Sequence, residues 1–484
     1  MNQPVHADDL LGRADQLKQQ LGDGYRDDMV EALYDQAHRI ADQAVTATGP
    51  PRWSIELRLD RILTHPVWGL PLMLVMLAVV FWLTIVGANV PSAFLAGLLI
   101  EEGGLSQWLD QYLGISAPAF LSVSIYERLL DLFAWVSAPA WLSGLLVDGV
   151  YLTMAWVVSV MLPPMAIFFP IFTLLEDLGY LPRVAFNLDW LFRACGAHGK
   201  QSLTMSMGFG CNAAGIIACR IIDSPREKLI AILTNCFTIC NGRFPTVIAI
   251  AAITAAAAVP AGLISVVGAM TVVGVVLLGV AFTFAVSLFL SRTLLKGEAS
   301  AFTLELPPYR RPSIMRVIYT SLIDRTIFVL GRAVVVAAPA GAVIWIVGSV
   351  WIGQHTIADH LIDVLGPLGW MMGLDGAILL AYIIAIPANE IVLPTILMLY
   401  MQRSRMIEQE GSMLAQTLAG QGWTTLTAVC LLVFVVLHNP CGTTIWTIWR
   451  ETRSARWTLF GALMPVAVGI ITCTLVAGAW RLLS

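Results

Sequence analysis

The sequence predicts an all-α, polytopic integral membrane protein of about eight to eleven membrane segments, built as two related halves that contain broken helices. Three observations carry this. Charged side chains make up only 12% of the 484 residues and hydrophobic ones 58%, about half the charged fraction of a soluble domain. Apolar stretches close to the roughly 20 residues that cross a bilayer recur along the chain. Several are interrupted by knots of Gly, Pro, Asn and Cys, which a membrane tolerates only where the freed backbone groups face protein or a water-filled cavity.

Residues 1–50 are polar and helix-forming. Leu10, Leu11, Leu17 and Leu21, then Met29, Leu33 and Ile40, share one face over 8–47, which predicts one or two cytoplasmic helices that serve as a docking element. The segment lacks the apolar core and small-residue cleavage site of a secretory signal and is expected to stay in the mature chain. In residues 51–65, Ile55, Leu59, Ile62 and Leu63 oppose Arg58, Asp60 and Arg61, the pattern of a helix lying along a membrane surface.

The first membrane half is assigned to 66–291. It opens with a span at 66–90, followed over 91–147 by an extracytoplasmic excursion broken by Pro91, Pro118 and Pro139 and by Glu101, Glu102, Glu127 and Asp131. Apolar segments follow at 148–175, 184–195, 201–223, 228–258 and 260–291. A polar cytoplasmic loop covers 292–325, where the prolines of "LPPYRRP" prevent a continuous helix. The second membrane half, 326–484, has apolar segments at 328–352, 376–402, 424–439 and 457–481.

The halves share a faint repeat. Asn212 falls 13 residues after Gly199 and Asn389 falls 13 after Gly376, and each half has a later cysteine beside glycine, in "ICNGRFP" around Cys240 and "HNPCGTT" around Cys441. Transporters built from two repeats place the site where the broken helices meet.

Charge and cysteine usage narrow the classes. A net charge of −4 leaves no basic excess for nucleic acid. The eight cysteines lie mostly within or at the ends of apolar spans, which argues against a disulfide framework. Arg and Lys cluster in the N-terminal segment, at Arg220, Arg226 and Lys228, through 292–316, at Arg403 and Arg405, and at Arg450, Arg453 and Arg456. The positive-inside bias assigns all of these to the cytoplasm, with the N-terminus cytoplasmic. No Walker A, H-E-x-x-H or G-x-S-x-G motif occurs, so nucleotide hydrolysis and intramembrane hydrolysis find no support and no catalytic residue is assigned.

Four knots carry ligand chemistry: 208–215, 236–245, 387–394 and 438–444. Their donors are the Cys211, Cys240 and Cys441 thiols, the Asn212 and Asn389 amides, the Glu390 carboxylate and the His438 imidazole. A mixed sulfur, nitrogen and oxygen set suits a borderline divalent transition metal better than Ca²⁺ or Mg²⁺. Glu390, between "AYIIAIPA" and "IVLPTILMLY", is the most informative, because an ionisable group is expensive in lipid; its bland alternative is a helix-terminus carboxylate paired to a buried arginine. For His438 the alternative is a hydrogen bond to a neighbouring carbonyl, and for any buried cysteine a small hydrophobe. Glu176 and Asp177, closing "FTLLED", are either a gate and cation intake or ordinary interfacial acids.

The chain from about residue 40 resembles the transmembrane portion of the ferrous iron transporter B (FeoB) family. The resemblance is carried in order by "LDRILTHPVWGLP", "LLVDGV", "LLEDLGYLPRVAF", "HGKQSLTMSMGFGCN", "REKLIAILTNCFTICNGRFP", "LKGEASAFTLELPPYRRP", "PANEIV" and "NPCGTTIWTIWRET". It implies two gate-type repeats that move Fe²⁺ inward across the inner membrane, with Cys211, Cys240 and Cys441 as pathway ligands. Glu390 matches the glutamate of a "KE" motif, and Glu176 and Asp177 match "LLEDSGY". It further implies a separate cytoplasmic P-loop GTPase, since the family's G-domain is not matched here and no GTP site is assigned, together with a small SH3-like accessory protein, and it is compatible with a homo-oligomer. Asn389 stands where the family has lysine, which changes the field around Glu390. Two rival readings are a gate-fold transporter of a small organic solute such as a nucleoside and a non-transporting membrane scaffold.

Overall fold

The computed structural model describes residues 25–44 and 54–483, except 66–67, 115–117, 119–120, 261–262, 298–308, 310–311, 404, 407–408 and 410. The expectations for Leu10 to Leu21 and for most of "LPPYRRP" lie outside the described residues.

The chain is helical, as predicted. Helix α1 (Tyr25–Ala44) carries Met29, Leu33 and Ile40 exposed, and α2 (Ser54–Leu63) falls in the segment expected to lie along a membrane surface. α3 (Gly69–Leu99) is the first long apolar helix, and the excursion after it folds into α4 (Ser106–Leu113) and α5 (Ile125–Trp135), the latter started by a Ser124–Glu127 capping box. α6 (Ala140–Asp177) returns across the bundle and α7 (Tyr180–Ala194) follows. Short helices α8 (Gln201–Gly210) and α9 (Asn212–Ala218) flank Cys211. α10 (Pro225–Thr234) and α11 (Phe244–Ala258) are one broken span, and α12 (Ile264–Arg292) closes the first half.

The second half repeats the plan. α13 (Ile314–Ser349) leads through a two-stranded antiparallel hairpin, β1 (Trp351–Ile352) and β2 (His355–Thr356), to α14 (Ile357–Met371) and α15 (Gly376–Ile384), bent by 111°. α16 (Val392–Tyr400) and α17 (Gly411–Gly420) follow, then the broken span α18 (Thr425–Leu437) and α19 (Gly442–Thr452), and finally α20 (Ala455–Leu483).

Polar contacts sort the loops onto two faces. On one, Asp60 binds Arg183, Lys200 binds Asp223, Arg220 binds Glu451 and Arg226 donates to the Leu295 carbonyl. On the other, Arg405 binds Glu102 and Tyr126, Tyr400 donates to Asp375, and Arg481 donates to the Trp370 carbonyl. The expectation that Arg403 and Arg405 share a face with Arg220 is therefore corrected. The segment that carries them is tied to the excursion after α3, on the opposite side, and two cations in a loop are too few to outweigh the path of the chain.

Seven helices among the described residues are long and apolar enough to cross a membrane, or eight if the bent pair α14–α15 is one span. Seven is one fewer than the sequence expectation of eight to eleven and eight meets its lower bound; the apolar segments 184–195, 201–223 and 376–402 are not among these long helices. Lys200 Nζ reaches both the Ile221 carbonyl (3.0 Å) and Asp223 (2.9 Å), so α8 and α9 start and finish on one face as a re-entrant hairpin. Tyr400 likewise binds Asp375, so α15 and α16 form a second hairpin, based on the other face. The two recurrences of Asn 13 residues after Gly in 199–212 and 376–389 are these two hairpins, inverted with respect to each other.

Candidate functional site

The tips of the hairpins and the breaks of the two spans converge. All three pathway cysteines occupy the same structural position, the extended residue at which a broken helix restarts. Cys211 has φ −154° and ψ 123°, Cys240 −80° and 165°, and Cys441 −62° and 159°. The sequence holds part of the reason: a glycine lies within two residues of each cysteine, and Cys441 alone stands between a proline and a glycine, so the helix is weakened beside each break.

Side chains then stitch the breaks together. The Asn235 amide donates to the Asn212 carbonyl at 3.0 Å and fits between Gly208 and Gly215, where a Cβ on either glycine would lie 2.7 Å from an Asn235 atom. Two of the glycines in "GFGCNAAG" thus make room for a polar wedge. In the orientation that satisfies it, the Asn212 amide nitrogen donates to the Gly208 and Thr238 carbonyls at 3.0 and 3.1 Å. The Gly442 N–H donates to the Ile386 carbonyl at 2.7 Å, tying the break of the second span to its own hairpin.

Glu390 sits where the halves meet. A Cβ on Gly242 would lie 2.3 Å from its Oε1, so with glycine there the carboxylate rests directly against the first-half break, and a larger residue would displace it. Among the described residues Glu390 is in no ion pair, and the buried arginine that follows Gly242, Arg243, points its Nη atoms at backbone carbonyls instead. Glu390 lines a cavity of about 1020 Å³ that extends from Gln409, Ser412 and Gln416, on the face of Arg405, past Asn89 and Trp156 to Asn241. Glu390 is the one charged side chain among the described residues that line it.

The remaining candidates divide. Cys240 and Cys441 lie in electrostatic range of Glu390, and Cys211 in range of both thiols. Cys441 Sγ is also 3.2 Å from Thr444 Oγ1. His438 is buried with Nδ1 2.7 Å from the Val435 carbonyl and Nε2 3.3 Å from Asn389 Oδ1, so both ring nitrogens face protein oxygens and it joins the Asn389 tip to the second break. Glu176 and Asp177 are exposed at the far end of α6, on the face of Arg183, and the structure does not bring them to the cavity. Cys236 and Cys219 pack with Ile216, Ile222 and Ile448 in a small core, so Cys236, at the start of the 236–245 knot, is a core residue. Among the described residues no three His, Cys, Asp or Glu side chains are placed to hold a metal ion together, so the donors are spread along the junction and form no preassembled cage.

Sequence reasoning missed Asn235 and Arg243. Both carried a signal, a polar side chain inside an otherwise apolar run at a helix break, which marks groups that satisfy freed backbone.

Two hairpins based on opposite faces, two broken spans and, among the described residues, one carboxylate at their junction define the architecture: a helical membrane protein with its interruptions gathered at one place, as in proteins built from inverted repeats. Comparison with known proteins sharpens the class. Residues 158–254 match the Gate family, described as nucleoside recognition, and residues 272–324 match the C terminus of ferrous iron transport protein B. The Fe(2+) transporter FeoB of Staphylococcus aureus (strain COL) is 25% identical over 96% of this chain and 65% of its own length. That of Synechocystis sp. is 27% identical over 95% of this chain and 69% of its own. A Porphyromonas gingivalis Fe(2+) transport protein A/FeoB fusion protein is 23% identical over 87% of this chain and 51% of its own length. The chain is thus similar, over most of its own length, to part of these Fe(2+) transporter FeoB relatives, and it spans about two thirds or less of the length of most of them.

Proposed function

We propose that the chain forms the membrane pathway for ferrous iron, with Glu390 as the first protein ligand a cation meets. The observation that carries this is a cavity lined, among the described residues, by one carboxylate, Glu390. An ionisable group at membrane depth is costly and by default serves a pathway, and one fixed negative charge draws a cation without trapping it. Beyond Glu390, the thiols of Cys240, Cys441 and Cys211 and the oxygens of Asn389 and Asn212 exchange with the ion's water in steps. The mix of sulfur and oxygen favours Fe²⁺ and its neighbours over Mg²⁺ or Ca²⁺.

The face of Arg183, Arg220, Arg226, Arg450, Arg453 and Arg456 carries the excess of cations and is read as cytoplasmic. This puts the N-terminal segment in the cytoplasm, the cavity mouth outside and the direction of transport inward across the inner membrane. Glu176 and Asp177 then belong to the cytoplasmic end of the route. Energy input is assigned to a P-loop GTPase, and the fusion in the Porphyromonas gingivalis relative supports a small accessory protein as a further partner.

A second reading, a gate-type transporter of a small organic solute, is favoured by the cavity itself: about 1020 Å³ lined by Trp156, Phe244, Asn89, Asn241 and Gln409 is ample for a ring-bearing molecule. Anaerobic uptake into proteoliposomes separates the two. The iron reading expects Fe²⁺ to enter faster than Mg²⁺ or Ca²⁺ and nucleosides not to compete; competition by nucleosides with no metal flux favours the second.

A further inference from the structure

Arg243 is the largest side chain with almost no exposure, 1%, and it lies at the junction of the two halves. Its Nη1 donates to the Cys236 carbonyl at 3.0 Å and the Val436 carbonyl at 3.1 Å, and its Nη2 to the His438 and Asn439 carbonyls at 3.5 and 3.3 Å. One acceptor comes from the break after α10 and three from the end of α18. These are carbonyls freed where the helices stop, so they carry the negative ends of two helix dipoles. Four converging carbonyls at membrane depth are the chemistry that replaces the hydration shell of a monovalent cation in selective channels.

We propose that Arg243 is a tethered cation that fills this carbonyl-lined space and thereby excludes Na⁺ and K⁺ from the junction, leaving Glu390 and the thiols to receive a divalent ion. The guanidinium is a positioning and specificity-determining group. It holds the two breaks in register through four bonds, and it satisfies carbonyls that would otherwise bind a free ion. Lipid offers those carbonyls no alternative donor, so removing the guanidinium leaves water or a small cation as the replacement. Lysine would keep the charge but lose the planar fork that serves four acceptors at once.

This rests on the transport reading, and the test keeps the two apart. The full chain and its Arg243→Gln and Arg243→Lys variants are reconstituted, with a thermal-unfolding midpoint confirming that each is folded. Divalent uptake and Na⁺ or K⁺ leak, followed with a potential-sensitive dye, are measured in the same vesicles. Arg243→Gln is expected to lower Fe²⁺ uptake at least tenfold and raise monovalent leak at least tenfold above the parent. Arg243→Lys is expected to lower Fe²⁺ uptake while keeping leak within twofold of the parent. A folded Arg243→Gln with parental leak overturns the proposal, as does an Arg243→Lys that leaks like the glutamine variant; if glutamine prevents folding, the lysine variant decides alone. A parent that moves no divalent metal overturns the transport reading, while the monovalent leak still decides the role of Arg243.

Discussion

At the residue scale, the two expectations that turned on a single side chain had opposite outcomes. Cys211, Cys240 and Cys441 share one backbone role, made legible by a glycine within two residues of each. Cys219 and Cys236 share the apolar setting but not the break, and they pack in a core. Cys236→Ser is expected to destabilise the fold by about 1–3 kcal/mol, because the hydroxyl would be buried without a matched partner, with metal uptake per folded molecule unchanged; unfolding midpoints alongside uptake check this. Gly242→Ala is the converse. Its new Cβ would lie 2.3 Å from Glu390 Oε1, and overpacking costs about 1–3 kcal/mol. Uptake should fall further than the stability loss explains, because the carboxylate itself must move. What sequence could not show is where Arg243 points: three of its four acceptors are carbonyls contributed by a break some 200 residues away, and no local pattern encodes such a contact.

At the scale of elements, the breaks were readable as interruptions but not as hairpins. A run such as 201–223 has the length and hydropathy of a span, and only the contact of Lys200 with Ile221 and Asp223 shows that it turns back. A helix at α2 was legible from its amphipathic pattern, and the structure adds how it is fixed. Asp60 accepts from Arg183 at 3.0 Å and from the Tyr309 hydroxyl at 2.7 Å, and the guanidinium lies 4.1 Å from the centre of the Tyr309 ring. Burial on its own would raise the Asp60 pKa; the hydrogen bonds from Arg183 and Tyr309 and the guanidinium charge outweigh it and hold the carboxyl below the ordinary carboxylate value. With the folded value depressed, the stability that Asp60 contributes is complete above the unfolded pKa of about 4 and is lost as pH falls through the folded one. Asp60→Asn should therefore lower the unfolding midpoint at pH 6 and make progressively less difference as the pH is taken below 4, a dependence that paired thermal scans can read.

At the scale of the whole molecule, the class of protein was legible from composition and apolar runs, and the two-repeat plan from one spacing of 13 residues. The assignment of faces was only partly legible. The positive-inside rule placed the Arg220 and Arg450 clusters together, as their bridge to Glu451 and its helix requires, but misplaced Arg403 and Arg405. Single cysteines at Arg453 and at Ser412 in a background lacking the native cysteines should react with an impermeant thiol reagent from opposite sides of the membrane. Labelling from the same side would dismantle the inverted arrangement. The central claim is that a lone carboxylate at the junction receives the ion, and Fe²⁺ uptake by reconstituted Glu390→Gln, which keeps the shape and removes the charge, tests it most directly. The account predicts a loss of at least tenfold in a folded protein with parental thermal stability; uptake equal to the parent would contradict it.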